Sequence, residues 1–197
     1  MARMSKQVVI ISGPTGSGES TITRALIERF PGKVTRMVTA TTRLPRDNEK
    51  NGVDYYFLTK EEFKELEKEG AIPESGYIPN RDAYYGTYLP DLQKKIAKGM
   101  VVVGNLQIKG TLYHKENNNA TTIFLDPENI DSLMKRIRAR SPHLSEEEFV
   151  ARREDAEREI KEERPYYDYF VTNADGKLEE AIEEVVEILK KEGYNLG

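Results

Sequence analysis

Residues 7–20 read QVVIISGPTGSGES, and this stretch decides the fold of the chain. The first six residues are an almost uninterrupted apolar run, which predicts a short strand buried on both faces. Three glycines follow within the next six residues, and residues 20–30 then carry apolar side chains at helical spacing. A strand, a glycine-rich loop and a helix in this order predict a phosphate-binding βα unit.

The rest of the chain repeats the alternation of strand and helix. Short apolar or β-branched runs at 100–104, 121–125 and 169–172 predict further strands, and helical patterns occupy 89–98, 129–140, 145–164 and 177–192. This alternation predicts a parallel sheet with helices on both of its faces. Two segments interrupt it, one between residues 39 and 87 and one around residues 136–158.

The first interruption predicts a small substrate-binding subdomain inserted into the sheet. It contains a polar turn at 45–52, a strand-like run at 55–58 and a short helix that begins near Lys60. Thr59 precedes Glu62 by three residues, which is the spacing of a capping box with Thr59 as the N-cap. The second interruption is dense in arginine and glutamate, a pattern also typical of an exposed, salt-bridged helix.

Composition excludes several classes of protein. The 197 residues include 30 basic and 34 acidic side chains, and a net charge of −4 argues against a general nucleic-acid binder. No run approaches the ~20 apolar residues of a membrane helix, and no apolar leader precedes the first strand. Without cysteine, and with two histidines, disulfides and thiolate or histidine metal centres are not expected. We expect a cytoplasmic protein, either a monomer or a homodimer.

The glycine-rich loop fits the template G-x-x-x-x-G-K-[ST] at every position except one. Its backbone N–H groups and the helix that follows are suited to hold phosphate oxygens. Ser20 is positioned to offer its hydroxyl to Mg²⁺, which would arrive with ATP. The residues predicted to bind ATP through this loop are Gly13, Thr15, Gly16, Ser17, Gly18, Ser20 and Thr21.

Glu19 stands where the template has lysine. The lysine neutralises phosphate charge during transfer, whereas a carboxylate repels it. A pair of unit charges at ~4 Å and an effective dielectric constant of ~20 interacts by roughly 4 kcal/mol, and a change of sign shifts this by up to about twice as much. Because ~1.4 kcal/mol is a tenfold change in rate, we expect nucleotide binding to survive and efficient transfer to be lost.

From residue 8 to about residue 189 the chain resembles the guanylate kinases. That family opens with S-G-P-S-G-x-G-K-[ST], and residues 12–20 read SGPTGSGES. Its GMP-binding segment reads S-x-T-T-R-x-P-R-x-x-E-x-x-G-x-D-Y, and residues 39–46 read TATTRLPR, followed by Glu49, Gly52, Asp54 and Tyr55. The resemblance implies transfer of a phosphoryl group from ATP to GMP, with Mg²⁺ accompanying ATP.

The resemblance also implies an architecture and a set of site residues. It implies an α/β fold of the P-loop NTPase type, with a core (6–38, 88–135 and 160–197), a GMP-binding subdomain (39–87) and a helical lid (136–159). The implied GMP-binding residues are Thr39, Arg43, Arg46, Tyr55, Glu74, Tyr85, Thr87 and Gln107. The implied lid arginines are Arg136, Arg140 and Arg152, and Asn173 is expected near adenine.

The sequence departs from the family pattern again after residue 104. Where the family has [DE]-I-D-x-Q-G, residues 105–110 read NLQIKG, so Asn105 and Gln107 replace two acids. Asn105 would serve a metal site without supplying charge. Residues 73–82 also form a segment longer than usual by about two residues, which makes a kinase for another monophosphate an alternative.

Three hypotheses explain the substitutions at the site. Glu19 is a relocated metal carboxylate, or the catalytic residues were lost together, or the sequence was deliberately inactivated. The second hypothesis corresponds to an inactive guanylate-kinase-like module that binds a nucleotide or a phosphorylated protein.

Overall fold

The computed structural model describes residues 6–197, apart from the side chain of Asn80. The expectation that no apolar leader precedes the first strand concerns residues 1–5, which lie outside the described residues. The strands are β1 (Val8–Ser12), β2 (Val34–Arg36), β3 (Thr39–Thr41), β4 (Tyr56–Phe57), β5 (Ser75–Ile78), β6 (Ala83–Thr87), β7 (Val101–Gly104), β8 (Thr121–Pro127) and β9 (Tyr169–Asn173). The helices are α1 (Glu19–Arg29), α2 (Lys60–Lys68), α3 (Leu89–Ala97), α4 (Ile108–Asn117), α5 (Ile130–Arg140), α6 (Glu146–Arg158) and α7 (Leu178–Lys191).

The central sheet has the order β2-β7-β1-β8-β9, and its neighbouring strands are all parallel. The predicted parallel sheet with flanking helices is therefore confirmed. Val9 and Ile11 of β1 pack with α1 and α7 on one face, while Val8 and Ile10 pack with Leu92 of α3 on the other. Because both faces are covered, β1 is apolar at nearly every position instead of alternating.

A second sheet lies within residues 39–87 and has the order β4-β3-β6-β5. Thr39 of β3 is paired with Thr87 of β6, and Ser75 of β5 with Gly86. The capping box at the start of α2 is present as predicted, with Thr59 and Glu62 bonded to each other in both directions. The strand predicted at 55–58 is shorter, and β2, β3, β5, β6 and α4 were not predicted.

Helices α5 and α6 pack against each other through a small apolar cluster that includes Leu133, Ile137 and Ala156. The prediction of one helix over 145–164 is wrong at its C-terminal end. After α6 the chain forms a π-helical turn (Glu159–Glu163) and then a 3₁₀ turn (Arg164–Tyr166). Such a turn reorients the side chains that follow it, and it directs Glu159 and Glu163 to the cleft described below.

No helix in the described part of the chain is both long and apolar enough to cross a membrane.

Gly86 fixes the distance between β6 and the segment that leads into β5. A Cβ at this position would lie 2.6 Å from the Glu74 carbonyl oxygen and 2.6 Å from Cγ2 of Ile72. We expect Gly86→Ala to lower the free energy of unfolding by about 1–3 kcal/mol, since the strand must shift to admit one methyl group. Urea unfolding measures the change, and a variant as stable as the wild type would contradict this close approach.

Candidate nucleotide site

A cleft of about 500 Å³ opens between the phosphate loop, the second sheet and the turn after α6. The loop side contributes Gly13, Thr15 and Glu19, and the opposite side contributes Thr39, Tyr55, Glu74 and Tyr85. Asn105 and Gln107 lie on the cleft wall that follows β7, and Arg158, Glu159 and Glu163 close the lid side. A smaller pocket of about 170 Å³, lined by Gly16, Gly18, Glu19, Ser20, Thr21, Arg136 and Arg140, adjoins the loop.

The phosphate loop is held from inside the fold by Asn173. Its side-chain Nδ2 donates to the carbonyl oxygen of Ser17 at 2.7 Å, and Asn173 is buried. Gly18 has φ +109°, and a Cβ there would lie 2.3 Å from Nδ2 of Asn173, so only glycine fits. This side chain supports the loop from inside the fold, and its expected place near adenine stays a prediction.

Ser17 is likewise buried, and its hydroxyl has no hydrogen-bond partner among the described residues. Its backbone N–H donates to the Pro14 carbonyl oxygen at 2.9 Å and its carbonyl oxygen accepts from Asn173, so the structure does not support the expected contact of Ser17 with a phosphate. Ser20 and Thr15 are exposed, and Ser20 lies in the first turn of α1, where free N–H groups and the helix dipole favour an anion.

The expected lid arginines separate into two groups. Arg136 and Arg140 line the smaller pocket beside Ser20, and Nη2 of Arg136 donates to the Asn173 carbonyl oxygen at 2.8 Å. Arg152 lies on α6 and lines neither pocket, so its expected role at the phosphate is not supported. Arg158, one and a half turns further along, lines the larger cleft and is paired with Glu163 at 2.9 Å. Sequence analysis missed it among many alternating charges.

Glu19 is half-buried and lines both pockets. Removal from water, and then the nearby carboxylate of Glu159, raise the pKa of Glu19 to about 8, against a smaller lowering effect from the Gly13 N–H. Burial, and then the carboxylate of Glu163, raise the pKa of Glu159 to about 7. At neutral pH the Glu19 side chain is therefore mostly protonated, and it acquires its full charge only in alkaline solution.

Tyr55 and Tyr85 line the far end of the cleft, and Arg43 contacts both of them without lining the cleft itself. Arg43 binds both oxygens of Glu49 at 2.9 Å and donates to the Tyr85 hydroxyl at 3.2 Å. Its guanidinium lies 5.4 Å from the centroid of the Tyr55 ring. The Arg43 guanidinium holds the pKa of Glu49 at about 2, so this pair is ionised at any pH of interest.

Neither of the two arginines expected at this end, Arg43 and Arg46, lines the cleft. Arg46 is exposed and does not line the cleft, although its backbone N–H donates to Glu49 at 2.8 Å. Arg81 does line it, and its guanidinium lies 5.7 Å from the centroid of the Tyr85 ring. Sequence analysis missed Arg81, because it belongs to the segment where the chain departs from the family pattern.

Glu74, which is expected to bind the guanine base, lines the cleft. Its Oε1 accepts from the Thr87 N–H at 2.9 Å and from the Thr87 hydroxyl at 2.6 Å. Burial raises the pKa of Glu74, and the Thr87 bonds and the Lys109 ammonium oppose that rise. Thr87 itself is fully buried, so it acts on the cleft through Glu74. An oriented carboxylate of this kind can accept two donors from one edge of a base.

The residues offer little to a metal ion by themselves. The Asn105 amide donates from Nδ2 to the Ile11 carbonyl oxygen at 2.8 Å, and its Oδ1 accepts from Thr23 at 3.2 Å. It is therefore committed to the interior, which does not support the expected metal role of Asn105. Residues 6–197 contain no group of three or more His, Cys, Asp or Glu side chains arranged to hold a metal. The exposed Ser20 hydroxyl does fit an ion that is carried by phosphates.

Replacement of Glu19 tests its raised pKa. Because the folded protein binds this proton more tightly than the unfolded chain, the contribution of Glu19 to stability declines as pH rises from about 5 to about 8. We compare the free energy of unfolding of Glu19→Gln with that of the wild type at two pH values. We expect the difference in favour of the variant to be about 1–3 kcal/mol larger at pH 9 than at pH 6. Denaturant unfolding at both pH values measures this, with Glu28→Gln on the same helix as the control. An equal difference at the two pH values would contradict the assignment.

The comparisons with known proteins agree on one family. The family model for guanylate kinase matches residues 5–192. The chain is 34% identical to a guanylate kinase of Rickettsia bellii over 186 residues, which is 94% of each chain. It is 35% identical to one of Prochlorococcus marinus over 188 residues, covering 94% of this chain and 97% of the relative. The crystal structure of guanylate kinase from Anaplasma phagocytophilum superposes with a TM-score of 0.70 at 26% identity, covering 98% of this chain and 89% of that one. The phosphate loop, the base-end carboxylate and these matches together show that the chain belongs to the guanylate kinase family.

Proposed function

We propose that this protein transfers the γ-phosphoryl group of ATP to GMP, giving ADP and GDP, at a rate reduced by Glu19, Asn105 and Gln107. One observation carries the proposal. A single cleft has the phosphate loop on one side and, facing it, Glu74, Tyr55 and Tyr85, and Arg43 donates to the Tyr85 hydroxyl without lining the cleft itself. Two nucleotides bound at these two ends would direct their phosphates towards each other, and such positioning is the main requirement of phosphoryl transfer.

The GMP end is supported by contacts that exist without a ligand. Oε1 of Glu74 is occupied by Thr87, which leaves Oε2 as the acceptor directed to the N1 and N2 donors of guanine. Arg43 and Tyr85 are joined at 3.2 Å and would bind the GMP phosphate together with Tyr55. Arg46, which is exposed, would have to turn inwards to join them.

The ATP end consists of backbone N–H groups, the first turn of α1 and two lid arginines. Gly13, Thr15 and Gly18 would bind the phosphates through the backbone, while Arg136 and Arg140 would approach from the lid. Mg²⁺ would neutralise phosphate charge and be held through Ser20 and water. Glu19 lies between these groups, and whether it is protonated or ionised it cannot neutralise the phosphate charge as the missing lysine would.

A second candidate function is nucleotide binding without turnover. It is favoured by the changes in charge, because Glu19 replaces the cation of the loop and neutral Asn105 and Gln107 stand where the family has acids. The GMP end keeps its own pairs, Arg43 with Glu49 and Glu74 with Thr87, and these do not depend on Glu19.

Restoration of the lysine separates the two candidates. We expect Glu19→Lys to raise kcat for ATP-dependent GDP formation by about 10²–10³-fold, since it adds a positive charge next to the transferring group, where Glu19 is mostly neutral at pH 7. The Kd for GMP should change by less than about threefold, because the GMP end lies across the cleft. A variant that gains no activity would contradict the assigned role of Glu19. Addition of Asn105→Asp and Gln107→Asp would then show whether the acids are also required.

A second experiment tests the base end. Glu74→Gln places an amide group against the guanine donors, so we expect the Kd for GMP to rise by about 10–100-fold. Isothermal titration calorimetry with GMP alone measures this without any turnover. Glu65→Gln, on the exposed side of α2, is the matched control and should leave the Kd unchanged. Equal affinity of the Glu74 and Glu65 variants would place guanine elsewhere.

A further inference from the structure

His114 is completely buried in α4 and has no part in the site as described above. Its Nε2 lies 2.9 Å from Oγ1 of Thr87, and its Nδ1 lies 2.7 Å from Oδ1 of the Asn118 side-chain amide. Thr87 in turn donates its hydroxyl proton to Oε1 of Glu74 at 2.6 Å. Four side chains therefore form one continuous chain of hydrogen bonds, and this chain ends on the carboxylate of the cleft.

The number of protons fixes the direction of these bonds. The Thr87 hydroxyl has one proton, and when it is donated to Glu74, Oγ1 can only accept from His114. Nε2 must then carry a proton. Burial lowers the pKa of His114, so the ring is neutral and its Nδ1 is the acceptor. Because Oδ1 of Asn118 is the atom nearest to Nδ1, this direction requires the Asn118 amide to be rotated by about 180° so that Nδ2 donates to Nδ1. Every donor then points towards Glu74.

Packing around the carboxylate leaves it little freedom. A Cβ at Gly110 would lie 3.1 Å from Oε2 of Glu74, so the absence of a side chain there makes room for the carboxylate. Lys109 and Tyr113 of α4 are the charged or titratable neighbours that act on Glu74, and β6 contributes Thr87, which does not titrate. The edge of the Tyr113 ring faces the His114 ring at a centroid distance of 5.1 Å.

We propose that His114 is a positioning residue for base selection, which holds the Thr87 proton on Oε1 of Glu74 so that Oε2 receives the guanine edge. This inference rests on the proposed function, because it requires guanine at Glu74. A carboxylate with one oxygen fixed accepts both N1–H and the N2 amino group in one orientation. Without the His114 donor, Thr87 can rotate its proton away, and the orientation that distinguishes the N2 amino group is no longer enforced.

The test compares GMP with IMP, which lacks the N2 amino group, by calorimetry. We expect His114→Phe to raise the Kd for GMP by about 3–10-fold, the range of one hydrogen bond. The Kd for IMP should rise by a smaller factor, so that the preference for GMP over IMP falls at least about threefold. His114→Gln can place an amide N–H where Nε2 lies, and it should restore both values to within about twofold of the wild type.

A purely structural role would give a different result. If His114→Phe weakens GMP and IMP equally, or if His114→Gln does not restore the preference, the positioning role is wrong. Glu74→Gln separates this inference from the proposed function. Loss of GMP binding in the Glu74 variant with unchanged binding in His114→Phe would overturn only the role of His114. A wild-type protein that binds neither nucleotide would overturn both.

One measurement on the unaltered protein does not depend on whether any variant folds. The chain has two histidines, so the nitrogen spectrum of the rings can be assigned with His143→Gln. The hydrogen-bond chain requires a neutral His114 ring with its proton on Nε2. A ring protonated only at Nδ1 would reverse the bond to Thr87 and overturn the proposal.

Discussion

The hydrogen bond from Asn173 to the Ser17 carbonyl oxygen fixes the phosphate loop to the sheet. Asn173 is the last residue of β9, which is paired with β8, so this hydrogen bond connects the loop to the strands of the central sheet. The same residue excludes any side chain from position 18 and, through its carbonyl oxygen, holds Arg136 beside the loop. One buried amide therefore sets the shape of the anion site and the position of the nearest lid cation.

Glu19 is placed inside this rigid frame, and its protonation must respond to a ligand. Its pKa is already raised by burial and by Glu159, whose own carboxylate is close to Glu163. A bound triphosphate would add negative potential and raise the pKa of Glu19 further, so nucleotide binding and proton uptake are linked. Above about pH 8 Glu19 is ionised in the free protein, so a triphosphate would bind either with uptake of a proton or against electrostatic repulsion. This cost in binding free energy would apply only to a ligand at the phosphate loop.

Most of the central sheet could be predicted from the sequence, because buried parallel strands are short apolar runs, and β1 and β7 have that form. The second sheet could not be predicted from the sequence, because β3, β4 and β5 have only two to four residues and no clear alternation of apolar and polar side chains. Helix α4 was hidden by its mixed face, which buries a glycine, a threonine and a histidine. The hydrogen bond from Asn173 to Ser17 depends on the register of β9, which the sequence pattern does not show. The position of Arg158 at the cleft depends on the π-helical turn after α6, which the periodicity of an α-helix does not predict.

An active kinase needs free energy both for binding its substrates and for stabilising the transition state, and in the proposed site these two contributions would come from different residues. The groups proposed to bind GMP are already ordered by their own partners, Arg43 by Glu49 and Glu74 by Thr87, so little ordering cost would remain if GMP binds there. Those contacts act on the ground state and do not require a cation in the phosphate loop. Transfer requires charge stabilisation that grows towards the transition state, and in the proposed reaction Arg136 and Arg140 would supply it while Glu19, in the same pocket, would not. Because the two ends draw on different residues, a substitution in the loop can remove turnover and leave GMP recognition intact.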